Sequence, residues 1–186
     1  MKIIPLHTQT NQLIADAIQQ KREAQQELFA LYSPKMLGVC RQYVKDLHHA
    51  EDLLLSGFLK VFTHLPQFKN EGSFEGWIRR IMVNTCISYL RKKNPIQLTD
   101  EDFVFNEQAT KNLESTELED IQKMIDGLPV GYKMVFNLYA LEGYRHAEIA
   151  EELGITVSTS KAQLFKARKW LQSQYLLINK TANGDR

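Results

Sequence analysis

Two stretches hold the side chains equipped to engage an anionic, aromatic partner. The first, WIRRIMVNTCISYLRKK at residues 77–93, carries five Arg or Lys, no Asp or Glu, and both a Trp and a Tyr. On a helix, Trp77, Arg80, Asn84, Ser88 and Arg91 recur at three- and four-residue spacing and therefore share one face. An indole stacks on a base, a side-chain amide reads a base edge and guanidiniums meet phosphates, which is the equipment for gripping single-stranded nucleic acid. Ile78, Met82, Thr85, Cys86 and Tyr89 fall on the other side and suit a core. The same composition also fits a tryptophan anchor buried beside a solvated run of charge.

The second stretch is HAEIAEELGITVSTSKAQLFKARKWL, residues 146–171. Ile149 and Leu153 give a first helix its inner face, Ala150 permits close approach, Gly154 allows a left-handed turn and Thr156 caps a second helix, a helix-turn-helix pattern. On the second helix Leu164, Ala167 and Leu171 turn inward. Ser158, Lys161, Ala162, Phe165, Lys166 and Lys169 share the outward side. A phenylalanine among lysines suits a DNA major groove, where an aromatic meets a thymine methyl and lysines meet guanine edges or phosphates. Ser160 stands at a usually apolar position, and Arg145 where a Ser or Thr cap is expected. A three-helix packing unit with a solvated basic face is the alternative.

The elements that position these faces are helical almost throughout. Apolar residues follow helical period, strand patterns are nearly absent and no internal repeat occurs, so the fold class is all-α. A first helix is expected from about Asn11 to Tyr32, with Leu13, Ile14, Ala17, Ile18, Leu28 and Leu31 on one broad face. Ser33-Pro34 reads as the cap and first position of a second helix over roughly 34–45. A third follows Asp46, carries Leu53, Leu54, Phe58, Val61 and Phe62, and stops before Pro66. FKNEGSF forms a polar loop, Ser73 caps the basic helix, and Asn94-Pro95 ends it. Periodicity resumes near Glu117, is cut by Pro129, and continues in helices at about 130–141, 145–153 and 157–175.

The 186 residues, 44% hydrophobic, carry a formal net charge of only +1, but the charge is segregated. Between Asn94 and Asp120 stand eight acids (Asp100, Glu101, Asp102, Glu107, Glu114, Glu117, Glu119, Asp120) against one base, Lys111. That stretch is an acidic flexible linker at 94–116 between two small helical domains, 1–93 and 117–186. Cys40 and Cys86, far apart and in no CxxC spacing, suggest neither zinc site nor disulfide framework and point to a reducing intracellular compartment. The N-terminus lacks a secretory pattern, and no apolar run reaches membrane-spanning length.

In this succession the chain resembles the bacterial RNA polymerase sigma factors of the extracytoplasmic-function group. AEDLLLSGFLKVF is similar to that family's polymerase-docking helix. FKNEGSFEGWIRRIMVNTCISYLRKK is similar to its promoter-melting and −10-reading segment, with Ser88 where Asp or Asn is usual, and residues 121–171 to its −35-reading domain. The resemblance implies a cytoplasmic protein that directs core polymerase to promoters and assists their opening, with no enzymatic activity, metal or cofactor of its own. It assigns Phe68, Lys69, Asn70, Ser73, Phe74, Trp77, Arg80, Asn84, Ser88 and Arg91 to the −10 element, with the 68–74 loop receiving a flipped base. It assigns Ser158, Thr159, Lys161, Ala162, Phe165, Lys166 and Lys169 to the −35 element. Glu51, Asp52, Leu55, Ser56, Leu59 and Lys60 are the expected contacts to the clamp of the largest polymerase subunit. Implied partners are polymerase core, promoter DNA and an anti-sigma factor, without direct membrane insertion. Leu55, Ser56 and Gly57 replace the family's usual Gln, Glu and Thr, which predicts lost polar contacts to the clamp.

A stand-alone helix-turn-helix transcriptional regulator is the rival reading, and it lacks a sensor or dimerisation segment in residues 1–93. A nucleic-acid enzyme requires paired carboxylates near the basic helix, and spacing places none there. His48 and His49 point about 100° apart on a helix, which disfavours a shared metal. No Gly-rich phosphate loop or GxSxG elbow occurs.

Overall fold

The computed structural model describes residues 6–93 and 117–183. The linker expected at 94–116 lies outside them. All regular elements among the described residues are helical, and they group into two compact units, Met1–Ser88 and Tyr89–Arg186.

The first unit contains α1 (Leu6–Ile18), α2 (Arg22–Tyr43), α3 (Leu47–His64) with a 3-10 turn at Leu65–Gln67, and most of α4 (Phe74–Lys93). The expected single helix from Asn11 to Tyr32 is two helices. The break is a Schellman turn: Gln20 takes a left-handed φ of 60°, its N–H reaches the Ala17 carbonyl at 3.0 Å, and the Lys21 N–H reaches the Asp16 carbonyl at 3.2 Å. The Lys21 ammonium closes the turn on the Asp16 carboxylate at 2.7 Å. Glutamine at a position that glycine usually holds conceals the turn from a sequence pattern.

Ser33-Pro34, in contrast, starts nothing: α2 runs through Pro34 without interruption. Proline lacks the N–H that would bond the Ala30 carbonyl, a loss of about 3 kcal/mol inside a helix. Ala30 and Pro34 lie off the buried stripe, so water can satisfy that carbonyl, while Leu28, Tyr32, Met36, Val39 and Cys40 bury one stripe on both sides of the proline. Continuity of the stripe outweighs the local start signal. Ile18 and Leu31, expected on the core face, are 40% and 53% exposed because the break at Gln20 sets α1 and α2 on separate axes.

Asp46 caps α3 by accepting from the His49 N–H at 2.9 Å, as the sequence predicts for a helix beginning there. Ala50, Leu53, Leu54, Phe58 and Val61 of α3 share the buried core of this unit with Phe74, Ile78, Met82, Val83, Cys86 and Ile87 of α4 and the stripe of α2. The close approach of α3 to α4 is made at Gly57: a Cβ there would collide with Met82 Sδ and stand 2.9 Å from its Cε. Residue 57 is therefore an interior position, and the absence of threonine removes no outward polar contact.

The second unit comprises α5 (Glu117–Gly127), α6 (Val130–Phe136) continued by a π-helical turn at Asn137–Leu141, α7 (His146–Leu153) and α8 (Val157–Asn183). Leu128, Tyr132, Ala167 and Trp170 form its central cluster, with Met124, Phe136 and Leu171 packed around it. Trp170 lies so close over Gly127 that a Cβ there would stand 2.6 Å from its Cη2. Lys133 is 6% exposed; its ammonium donates to the Asp126 carbonyl at 3.2 Å and pairs with the Asp126 carboxylate at 3.6 Å. A buried charge is retained only with such a partner.

Candidate nucleic-acid interface

The loop before α4 and the first turns of that helix make an aromatic platform. Asn70 at φ 56° and Gly72 at φ 97° turn the backbone sharply, and Ser73 Oγ accepts from the Gly76 N–H at 2.9 Å to start the helix. Phe68 lies 5.1 Å from Phe74 and 5.3 Å from Trp77, and the Phe74 and Trp77 rings stack at 5.8 Å. Phe74 is buried and forms the floor, while Phe68 and Trp77 are half-buried and Lys69, Asn70 and Ser73 are exposed. Beyond the platform Arg80, Ser88 and Arg91 are exposed and Asn84 is half-buried, so the outward face of α4 has the membership its spacing predicts. Ser88 Oγ donates to the Asn84 carbonyl at 2.7 Å, which commits its proton to the helix. Asn84 Oδ1 is buried without a hydrogen-bond partner. On the inward side Ile78, Met82, Thr85 and Cys86 are buried as expected; Tyr89 is only half-buried, with the Lys93 ammonium 5.7 Å from its ring centre.

On α3 the outward residues Glu51, Asp52, Leu55, Ser56, Leu59 and Lys60 are all exposed. Leu55 and Leu59, one turn apart, are 54% and 70% exposed, an apolar pair that plain solvent does not favour. Lys60 reaches back to donate to Thr85 Oγ1 at 3.1 Å, linking α3 to α4. His48 approaches Glu51 at 3.6 Å and His49 approaches Asp46 at 2.9 Å, so the adjacent imidazoles turn to different carboxylates.

In the second unit Gly154 takes φ 67° between α7 and α8, and Thr156 Oγ1 accepts from the Thr159 N–H at 3.0 Å. Ser158, Lys161, Phe165 and Lys169 are exposed, while Thr159, Ala162 and Lys166 are half-buried. Phe165, 68% exposed, stands out from the helix between lysines. The two misfits in the sequence pattern resolve here. Arg145 needs no hydroxyl, because the Glu148 carboxylate accepts from its backbone N–H at 2.7 Å. Ser160, fully buried, holds its Oγ 2.9 Å from His146 Nδ1 and so ties the start of α7 to α8. The His146 ring stacks on Tyr139 at 4.8 Å, and the Arg168 guanidinium lies 5.4 Å above the same Tyr139 ring. Burial first, then the charges of Lys161 and Arg168, hold the His146 imidazole below its ordinary value.

His146, Tyr139 and Arg168 escaped sequence reasoning as parts of the basic face; the polar residue at position 160 was the one visible sign that something polar faces it. Among the described residues no group of three or more His, Cys, Asp or Glu is arranged to hold a metal. No described helix is long and apolar enough to cross a membrane.

Comparison with known proteins finds two families along the chain. The Sigma-70 region 2 family matches residues 28–96 and the Sigma-70 region 4 family matches residues 118–171. The RNA polymerase sigma factor SigZ of Bacillus subtilis is 31% identical over 126 residues, 67% of this chain and 72% of that protein. The ECF RNA polymerase sigma factor SigW of the same organism is 28% identical over 182 residues, 87% of this chain and 96% of that protein. Among solved structures, the sigma factor RpoE crystallised with the anti-sigma factor NepR from Bartonella quintana shares the fold, with a TM-score of 0.52 at 22% identity over 81% of this chain and 95% of that one.

Proposed function

This chain belongs to the extracytoplasmic-function group of RNA polymerase sigma factors, and on that premise we propose residue roles for its part in transcription initiation. It acts as a sigma factor and not as a stand-alone operator-binding regulator. The single observation that carries the reading is the presence, on one chain, of two outward basic-aromatic helix faces, one per unit, each within a matched sigma region.

In the proposal, residues 1–93 dock on the polymerase clamp and hold the parted non-template strand. Glu51, Asp52, Leu55, Ser56, Leu59 and Lys60 form the docking face, with the apolar pair Leu55 and Leu59 supplying contact where polar groups are replaced. Arg80 and Arg91 guide the strand, Phe68 and Trp77 offer rings on which a base stacks, and Asn84 reads a base edge. Extracting a base costs a few kcal/mol of unstacking, which a preformed aromatic pocket offsets. Residues 117–186 hold duplex DNA upstream: Lys161, Phe165, Lys166 and Lys169 enter the groove, with Ser158, Thr159 and Ala162 small enough to let α8 sit deep. The chain performs no covalent chemistry, works in the cytoplasm, and is controlled by an anti-sigma partner covering the same faces, a reading supported by the Bartonella quintana sigma factor, which forms a complex with its anti-sigma factor NepR.

Transcription by reconstituted holoenzyme tests this. The expected result is copurification with polymerase core and promoter-specific initiation. No preference for any start site, or tight operator binding by the chain alone, overturns it.

A further inference from the structure

Three elements of the second unit meet at the half-buried His146 ring, which opens α7. From α8, Ser160 Oγ lies 2.9 Å from His146 Nδ1. From the π-helical turn, the Tyr139 ring stacks on the imidazole at 4.8 Å. The Arg168 guanidinium, again from α8, lies 5.4 Å from the centre of that same Tyr139 ring, so one aromatic ring holds a guanidinium and an imidazole together. Lys161 follows Ser160 directly, and Arg168 comes seven residues after Lys161, close to two turns, which puts both bases on one edge of α8. At 100° per residue that edge borders the outward face carrying Ser158, Phe165 and Lys169. Lys161 and Arg168 are exposed, and among the described residues the ion pairs of this unit, Lys123 with Asp120 and Lys133 with Asp126, include neither of them. On α7 itself the charged neighbours are Arg145 and Glu148, and the Glu148 carboxylate is turned to the Arg145 N–H at 2.7 Å.

We propose that His146 is a proton-linked contact to the phosphate backbone of the −35 duplex, charging as the DNA binds and forming a phosphate clamp with Lys161 and Arg168. The proposal rests on the reading above in which α8 holds paired DNA. In the neutral imidazole one ring nitrogen carries a hydrogen, and in the charged ring both do. Nδ1 is committed to Ser160, so the charged ring keeps that bond and presents Nε2–H as a second donor. The proton comes from solvent, and the N–H bond it makes is the only covalent change. In the free chain, burial first and then the charges of Lys161 and Arg168 oppose that proton. A phosphodiester seated against the three groups reverses the balance, because a nearby opposite charge favours the imidazolium.

Two features favour duplex DNA over an acidic protein as the source of that negative charge. The clamp is continuous with the face of α8 that carries Phe165 and Lys169, and phosphate contacts beside a recognition helix fix its register in the groove. Tyr139 and Ser160 also hold the ring and the guanidinium before any partner arrives, which lowers the ordering cost of a fixed, repeating ligand. Uptake of a proton on binding sets the sign of the effect. Affinity is greatest below the imidazole's value in the free chain and falls as pH rises through its higher value in the complex. Because a phosphate carries no sequence information, the clamp strengthens binding without changing which bases are read.

The test measures the affinity of the full chain, assembled with polymerase core, for a double-stranded promoter from which it initiates, at several salt concentrations on both sides of the ordinary imidazole value. Binding should be at least about fivefold tighter on the acid side, the low end of coupling between linked sites. The salt slope there should be steeper by about one ion, since one more phosphate is neutralised. Both increments should vanish in His146→Gln, which keeps a polar group for Ser160, and in His146→Phe, which keeps a ring on Tyr139. Lys166→Ala should lower affinity throughout and keep both increments. Variants of His146 that retain the parent's pH dependence overturn the proposal, as does a His146 imidazole resonance that titrates at the same pH in the free chain and in its complex with duplex DNA. A pH dependence that needs His146 but appears in binding to polymerase core and not to DNA assigns the cluster to an acidic protein surface, and overturns the phosphate contact. If Lys166→Ala leaves duplex binding unchanged, the role given to α8 fails instead, and the imidazole titration, run with any duplex, decides His146 by itself.

Discussion

Asn84 bears a cost that the folded chain alone does not remove. A buried acceptor without a partner costs about 1–3 kcal/mol, and Asn84 Oδ1 is such an atom, at the centre of the α4 face between Arg80 and Ser88. In the proposed role of Asn84, an incoming base edge is the missing donor. Asn84→Ala should therefore impair open-complex formation more than duplex binding; equal losses in a gel-shift and a permanganate-footprinting experiment contradict the assignment. Lys166→Ala, in the second unit, should weaken −35 duplex binding and lower its salt slope by about one ion, measured by titration at several salt concentrations. His146 has a pH signature. Its native pKa is depressed below the ordinary 6.5, so the unfolded chain binds the proton first. Its contribution to stability is present above the unfolded pKa and is lost as pH falls through the native one. His146→Gln should flatten the acid side of a melting-temperature profile as pH falls below the ordinary imidazole value; an unchanged profile removes His146 as the cause.

At the scale of elements, outward faces were legible because a helix repeats every 3.6 residues, so spacing alone sorted Trp77, Arg80, Asn84 and Arg91 from Ile78, Met82 and Cys86. Caps were legible where a hydroxyl made them, as at Ser73 and Thr156. What stayed hidden depends on tertiary context. The left-handed Gln20 has no glycine to announce it, and Pro34 sits in mid-helix because a continuous buried stripe, with Ala30 and Pro34 on the exposed side, overrides a strong local start signal. The ties of His146 to Ser160 and Lys133 to Asp126 join residues from different helices, which periodicity cannot pair. Gly57 is the clearest case: its role lies in Met82, not in its own helix. Gly57→Thr should destabilise the first unit by about 1–3 kcal/mol through overpacking. Combining it with Met82→Ala should cost less than the sum of the two single changes; strict additivity in a denaturant-melt cycle excludes the contact.

At the scale of the whole molecule, the overall sum conceals where the charge lies. Bases concentrate on α4 and α8 while acids crowd the stretch between Asn94 and Asp120, so a net charge of +1 coexists with two cationic surfaces. In the proposed roles the first unit holds a parted strand and the second a paired one, so a promoter carrying a pre-formed bubble should rescue Asn84→Ala but not Lys166→Ala. Rescue of both, or of neither, scored by run-off transcription, breaks that division of labour. Docking is separable in the same way. Leu59 is 70% exposed, so Leu59→Asp should leave the melting temperature unchanged and reduce copurification with polymerase core. A change in melting temperature of several degrees would place Leu59 in the fold instead.

The thioether of Met82 lying over Gly57 also limits how this chain can be recombined. Any graft of α3 that places a side chain at position 57 would meet that thioether, a conflict that no inspection of the grafted helix reveals. Hybrid sigma factors built from this scaffold should therefore treat residues 57 and 82 as a pair.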